Sequence, residues 1–185
     1  MKLAKYSLIL FLFSACAMKP SFEPEITQLK DLIVEVQQAK EVYENIDAVK
    51  VSSVASESKV TMSSFNKNYK GQLSKEQASI VNDLNNVKRL IKDFDRQNKR
   101  VADEFTRTET QLNELLSTLE EGNTVDASGN QIDQNYVNKQ MGIETKVAQS
   151  LIREVGELDK RCNNALDKFE LAKPAMENLM NELLP

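Results

Sequence analysis

The feature that most constrains this chain is an apolar series that never loses step. Ile80, Leu84, Val87, Ile91, Phe94, Asn98, Val101, Phe105, Thr108, Leu112, Leu115 and Leu119 alternate four- and three-residue spacings, and ten of the twelve are apolar. A helix returns a side chain to the same face about every 3.6 residues, so this pattern lays one continuous stripe along one helix. A strand would alternate by two. Ser74 and Gln77 form an S-x-x-Q capping box, Leu73 is placed to staple onto Ala78, and Gly122 stands where a helix-ending glycine belongs. The spacing predicts a helix over about 75–121.

A second series runs Val137, Met141, Glu144, Ala148, Leu151, Val155, Leu158, Cys162, Ala165, Phe169, Ala172, Met176, Leu179, Leu183, with thirteen of fourteen apolar. It predicts a helix over 135–183. Pro174 falls at an outward position and the seam keeps its phase across it, so a kink is expected rather than a stop. The first segment is less regular. Ile26, Leu29, Ile33, Val36, Tyr43 and Ile46 mark one stripe; four-residue steps through Lys50, Val54, Ser58 and Met62 then lead to Phe65 and Tyr69. That is a stutter in the heptad, in a stretch with six serines between Ser52 and Ser64. A helix over 24–68 is expected, weakest across 49–68.

The breaks, Asn66–Ser74 around Gly71 and Gly122–Gln134 with Gly122 and Gly129, are short enough to force antiparallel neighbours. The expected fold is all-α: an elongated antiparallel three-helix bundle or coiled coil over 24–185, roughly 65–70 Å long by helix rise. Folding about residues 71–72 sets Glu41, Glu44 and Asp47 level with Lys99, Arg100 and Arg96. Folding about 127–128 sets Phe105 level with Ala148, large against small.

Composition bounds the chemistry. Among 185 residues there is no histidine, which removes the commonest general base and metal ligand. With no Ser/His pair, P-loop or glycine-rich phosphate loop, no enzyme, catalytic residue, cofactor or small-molecule substrate is expected. The Asp126–Asp133 stretch departs from a calcium loop: Gly129 comes at position four, and Val137 occupies the position of the bidentate glutamate. A tight turn is expected instead, with a small hairpin pairing Val125 with Ile132. Asn98 and Glu144, polar in apolar seams, read as register devices or wet layers.

Residues 1–15, MKLAKYSLILFLFSA, carry Lys2 and Lys5, an apolar run and small residues, the plan of an export signal. The run is shorter than the roughly 20 residues a spanning helix needs. Phe13-Ser14-Ala15-Cys16 resembles the lipobox of bacterial lipoproteins, in which two small residues precede an invariant cysteine. The resemblance covers about sixteen residues. It implies cleavage before Cys16, lipidation of the Cys16 thiol, and a membrane anchor on a tether over 16–23. Ala17 after the cysteine, rather than Asp, implies the outer membrane, facing the periplasm or displayed at the surface. An ordinary secretory signal cut after Ala15 or Ala17 is the alternative.

Losing Lys2 and Lys5 takes the net charge from −4 to −6, which weighs against nucleic acid as a partner. Cys162 then has no internal partner; a buried structural thiol is expected, an intermolecular disulfide being the alternative. Arg89, Lys92, Arg96, Lys99 and Arg100 form the main basic stripe, read as a solvated face or as a surface for an anionic partner. Phe65, Tyr69, Met176 and Met180 fall at the end of the rod away from the anchor, where Met and aromatic side chains suit partner binding. The expected role is a lipid-anchored envelope spacer, scaffold or interaction module engaging another envelope protein. A chaperone-like assembly factor is the alternative, and a surface adhesin a third. A homo-oligomer is compatible with such helical faces.

Overall fold

The structure, a computed structural model, describes residues 21–184. Among these the chain is all-α, with α1 Glu23–Glu44, α2 Ala48–Asn68, α3 Lys75–Ile91, α4 Phe94–Glu120 and α5 Gln134–Leu183. No described helix is long and apolar enough to cross a membrane. The signal segment 1–15, Cys16 and most of the 16–23 tether lie outside the described residues.

The final series is realised as read. Its first thirteen positions, Val137 through Leu179, are all buried on α5, and Leu183 packs partly buried against the core. The helix continues through the exposed Pro174, whose outward place spares the seam. Its 50 residues correspond to about 75 Å of helix rise. The helix start is fixed by Asp133, whose side chain accepts from the Tyr136 backbone N–H at 2.8 Å.

The middle series keeps its phase but not its continuity. Leu84, Val87 and Ile91 are buried on α3, and Phe94, Val101, Phe105, Thr108, Leu112, Leu115 and Leu119 on α4. A two-residue turn, Lys92-Asp93, separates them. The Ser74–Gln77 capping box is present, with both reciprocal bonds made. Gly122 (φ 64°) ends α4. Its N–H donates to Leu119 O and the Asn123 N–H to Thr118 O, so two terminal carbonyls are satisfied as in a Schellman motif.

The expected single helix over 24–68 is corrected. It breaks at Asn45-Ile46-Asp47, ahead of the serine-rich stretch, and Ala48–Asn68 is regular helix. Asp47 caps α2 by accepting from the Lys50 N–H at 2.8 Å. The buried stripes of both helices differ from the ones read. Leu32 and Ala39 are buried in α1 where Ile33 and Tyr43 are only half-buried, and Val51 replaces the exposed Lys50 at the head of the α2 stripe. The four-residue steps from Val54 through Ser58 to Met62 remain.

Cross-helix partners fix directions. Lys30 pairs with Glu120 and Lys40 with Glu109, so α1 and α4 run in opposite senses. Gln134 bonds to Glu25, Lys50 to Glu170 and Lys173 to Glu57, so α1 and α2 follow the sense of α5. The expected match of Glu41, Glu44 and Asp47 to Lys99, Arg100 and Arg96 is not formed. Lys99 pairs with Asp103, Arg96 with Asp93 and Arg100 with Glu154 on α5, while α1 supplies the cations Lys30 and Lys40 to α4. Above the pairs, Tyr43 and Phe105 meet at 5.5 Å between ring centroids.

The interruption at 45–47 lies against the first turns of α4, just past the 92–93 turn. Tyr43 donates its hydroxyl to the Asn98 carbonyl at 3.0 Å, and Ser52 donates to Asp95 Oδ1 at 2.6 Å. Arg161 of the unbroken α5 reaches Gln97 at 2.6 Å at the same level.

The burial pattern sets an expectation for stability. Leu151 is 2% exposed and Leu171 is 78% exposed, both on α5. Leu151→Ala should cost about 2–5 kcal/mol in denaturant unfolding, and Leu171→Ala less than about 0.5 kcal/mol. Equal effects would show that the α5 seam is not the core.

Candidate functional site

The residues expected at the far tip divide by burial. Phe65 is 3% exposed and Met176 fully buried, so both side chains serve the core and present no docking surface. Tyr69 and Met180 remain half-buried at the edge of that core. The Tyr69 ring stacks on Phe65 with centroids 5.3 Å apart, and its hydroxyl donates to the Gln72 carbonyl at 2.8 Å. Gly71 leaves room for it: a Cβ there would meet the Tyr69 hydroxyl oxygen at 2.7 Å and push the ring tip aside. Gln77 reaches Glu182 at 3.1 Å, which brings the end of α5 beside the α2–α3 turn.

The basic stripe is exposed and largely paired. Lys92 and Arg96 flank Asp93, Lys99 meets Asp103, Arg107 meets Glu104, and Arg100 meets Glu154. Arg89 is exposed. Exposed pairs of this kind add little to stability. They do lower the local positive potential, and the partners come from α4, α5 and the α3–α4 turn rather than from α1.

Cys162 is buried, and burial pushes its thiol up to about 11. A thiolate is the nucleophile, so this side chain is inert near neutral pH. Asn98 is half-buried and contributes its backbone carbonyl to Tyr43.

The turn after α4 forms a hairpin, shifted by one residue from the expected pairing. Val125 stands opposite Gln131, with Asp126 N–H donating to Asn130 O and Ile132 N–H to Thr124 O. The shift has a reason: a one-residue slip turns a side chain over, so Ile132 is 3% exposed and Val125 55%. Asp126 organises the turn. Its Oδ1 accepts from the Ser128 and Asn130 N–H groups and its Oδ2 from the Asn130 amide, which hold the carboxyl below its usual range. Gly129 takes φ 84°, a left-handed conformation that suits glycine. Among the described residues no three His, Cys, Asp or Glu side chains converge as a metal site.

Glu144 is the unexpected feature of this end. It occupies a seam position on α5, is 8% exposed, and its Oε2 has no hydrogen-bond partner. Burial alone pushes its carboxyl above the usual range. An unpaired buried acceptor costs about 1–3 kcal/mol and a charge costs more, so the packing does not justify a glutamate here. Glu144 instead lines an open cleft of about 680 Å³ between α4, the hairpin and the start of α5. Gln111, Glu114, Asp126, Tyr136 and Gln140 share its walls. The heptad exposed Glu144 as an exception, but nothing in the linear sequence shows that the hairpin folds back to make a cleft beside it.

No protein-family model matches the chain, and no curated protein or solved structure matches it.

The sign of the Glu144 effect is testable. Its folded carboxyl holds a proton more tightly than the unfolded one, so its contribution is most favourable in acid and is lost as pH rises through the folded value. Glu144→Gln should therefore raise the unfolding midpoint relative to the parent above neutral pH, with the gap closing as pH falls below the ordinary glutamate range. A pH-independent gap in thermal melts would remove desolvation of the charge as its cause.

Proposed function

We propose that this chain is a lipid-anchored lipoprotein of the bacterial envelope, in which an elongated antiparallel three-stranded helical rod acts as a spacer and protein-interaction scaffold. The strands are α1 with α2, α3 with α4, and α5. The observation that carries the reading is the sorting of the two ends. Glu25 near the start of α1 bonds to Gln134 at the start of α5, whereas Gln77 at the start of α3 bonds to Glu182 at the end of α5. An anchor on Cys16 would thus hold the hairpin end near the membrane. It would carry the α2–α3 turn some 65 Å away by helix rise.

The anchoring itself rests on Phe13-Ser14-Ala15-Cys16 and its resemblance to the lipobox; the outer membrane, facing the periplasm, is the proposed destination. Scaffolding fits the inert Cys162 and the largely paired charges of α4. Tyr69 and Met180, half-buried at the far end, are the proposed contact with a partner envelope protein, with Phe65 and Met176 supporting them from beneath. A client-escorting role would ask for a continuous uncovered apolar face. Among the described residues the exposed large apolar side chains Val34, Val42, Val49, Val60, Val125, Ile143 and Leu171 are spread over α1, α2, the hairpin and α5.

Cys16→Ser should abolish metabolic lipid labelling and move the chain from the membrane to the soluble fraction. Unchanged labelling and fractionation would defeat the anchor. Tyr69→Ala or Met180→Ala, with helicity intact, should reduce crosslinked partner recovery more than substitutions at 126–130; an equal or reversed order would place the partner elsewhere.

A further inference from the structure

We infer that the cleft between α4, the 124–132 hairpin and the start of α5 binds a small aliphatic diamine, with Glu144 as the buried counter-ion for one ammonium group. This goes beyond the spacer role and holds whether or not Cys16 is lipidated.

Two independent observations carry it. Glu144 is a seam residue, more than nine-tenths buried, whose Oε2 meets no donor of the protein, and it lines the cleft. Rotation about the terminal torsion of a glutamate is soft, so either oxygen can turn to a ligand at the cleft floor. Separately, every charged side chain that lines the cleft is acidic. Glu114 and Asp126 line it beside Glu144, and no lysine or arginine does. Asp126 is kept ionised by the turn that it organises.

This chemistry selects the ligand. Phosphates and carboxylates would meet like charge with no compensating cation. A bare metal ion lacks a converging set of three ligands among the described residues. A neutral polyol would leave the Glu144 charge uncompensated when it ionises. An ammonium group brings both a counter-charge and three N–H donors, one for the carboxylate and the rest for the Gln111 and Gln140 carboxamide oxygens. An aliphatic stem can lie along Tyr136, and a second ammonium group then reaches the rim, where Glu114 is exposed.

The test is calorimetric titration of the full-length chain in detergent with 1,4-diaminobutane at constant ionic strength, and with 1,4-butanediol as the uncharged match. Saturable one-to-one binding of the diamine is expected, weakened about tenfold or more by Glu144→Gln and absent for the diol. No saturable binding, equal binding of the diol, or full affinity in a folded Glu144→Gln would overturn the inference. If that variant does not fold, the exposed Glu114→Gln decides: reduced diamine affinity supports the site, and unchanged affinity rejects it.

Discussion

Everything else in the structure depends on the unbroken burial of one face of α5. Thirteen successive seam positions from Val137 to Leu179 are buried, and α1, α2, α3 and α4 all pack against this helix. A helix within a protein owes most of its stability to packing rather than to propensity, so a helix of 50 residues persists because its stripe is covered along most of its length. The small side chains on that stripe, Ala148, Cys162, Ala165 and Ala172, let neighbours approach closely, while Leu151, Leu158 and Met176 fill the layers between. The other helices can be interrupted without loss of the fold because each piece is docked on the same continuous partner.

Much of this was legible in the sequence. The 4,3 spacing located α5 nearly to the residue, and the Ser74–Gln77 box and Gly122 placed the ends of the α3–α4 arm. The two interruptions were not read, for different reasons. Asn45 and Asp47 carried the signal of a C-terminus followed by a cap, but Tyr43 and Ile46 appeared to carry the apolar stripe across it. The Lys92-Asp93 turn leaves the phase intact, so periodicity cannot report it. The charge match between the first arm and the second failed because acids on the same helix or one turn away, such as Asp93 and Asp103, reach the arginines and lysines first.

The candidate site was legible only in part. Glu144 stood out as a lone acid in an apolar series, and the Asp126–Gly129 turn stood out by composition. Their meeting depends on Ile132 turning inward, which draws the hairpin against α4 and α5. Ser58 and Thr108, the other buried polar seam residues, also have hydroxyl oxygens without partners, but a hydroxyl is neutral and its desolvation is far less costly than that of a carboxylate. Among the described residues Glu144 is therefore the buried seam acid whose placement works against stability, at the edge of a cleft. Functional residues commonly stand in that relation to the fold around them.

The neighbouring interruptions at 45–47 and 92–93 have a mechanical consequence. A helix resists bending through its ladder of i to i−4 hydrogen bonds, and over one short stretch of the rod two ladders are cut while that of α5 runs on past Arg161. Flexural stiffness is therefore lowest at this joint, which divides the bundle into two stiffer blocks spliced by a single strut. Because Tyr43 and Ser52, on either side of the 45–47 gap, both bond to the first turns of α4, the blocks tilt about α5 rather than separate from it. A load applied at one end would be felt at the other as a change of angle more than a change of length.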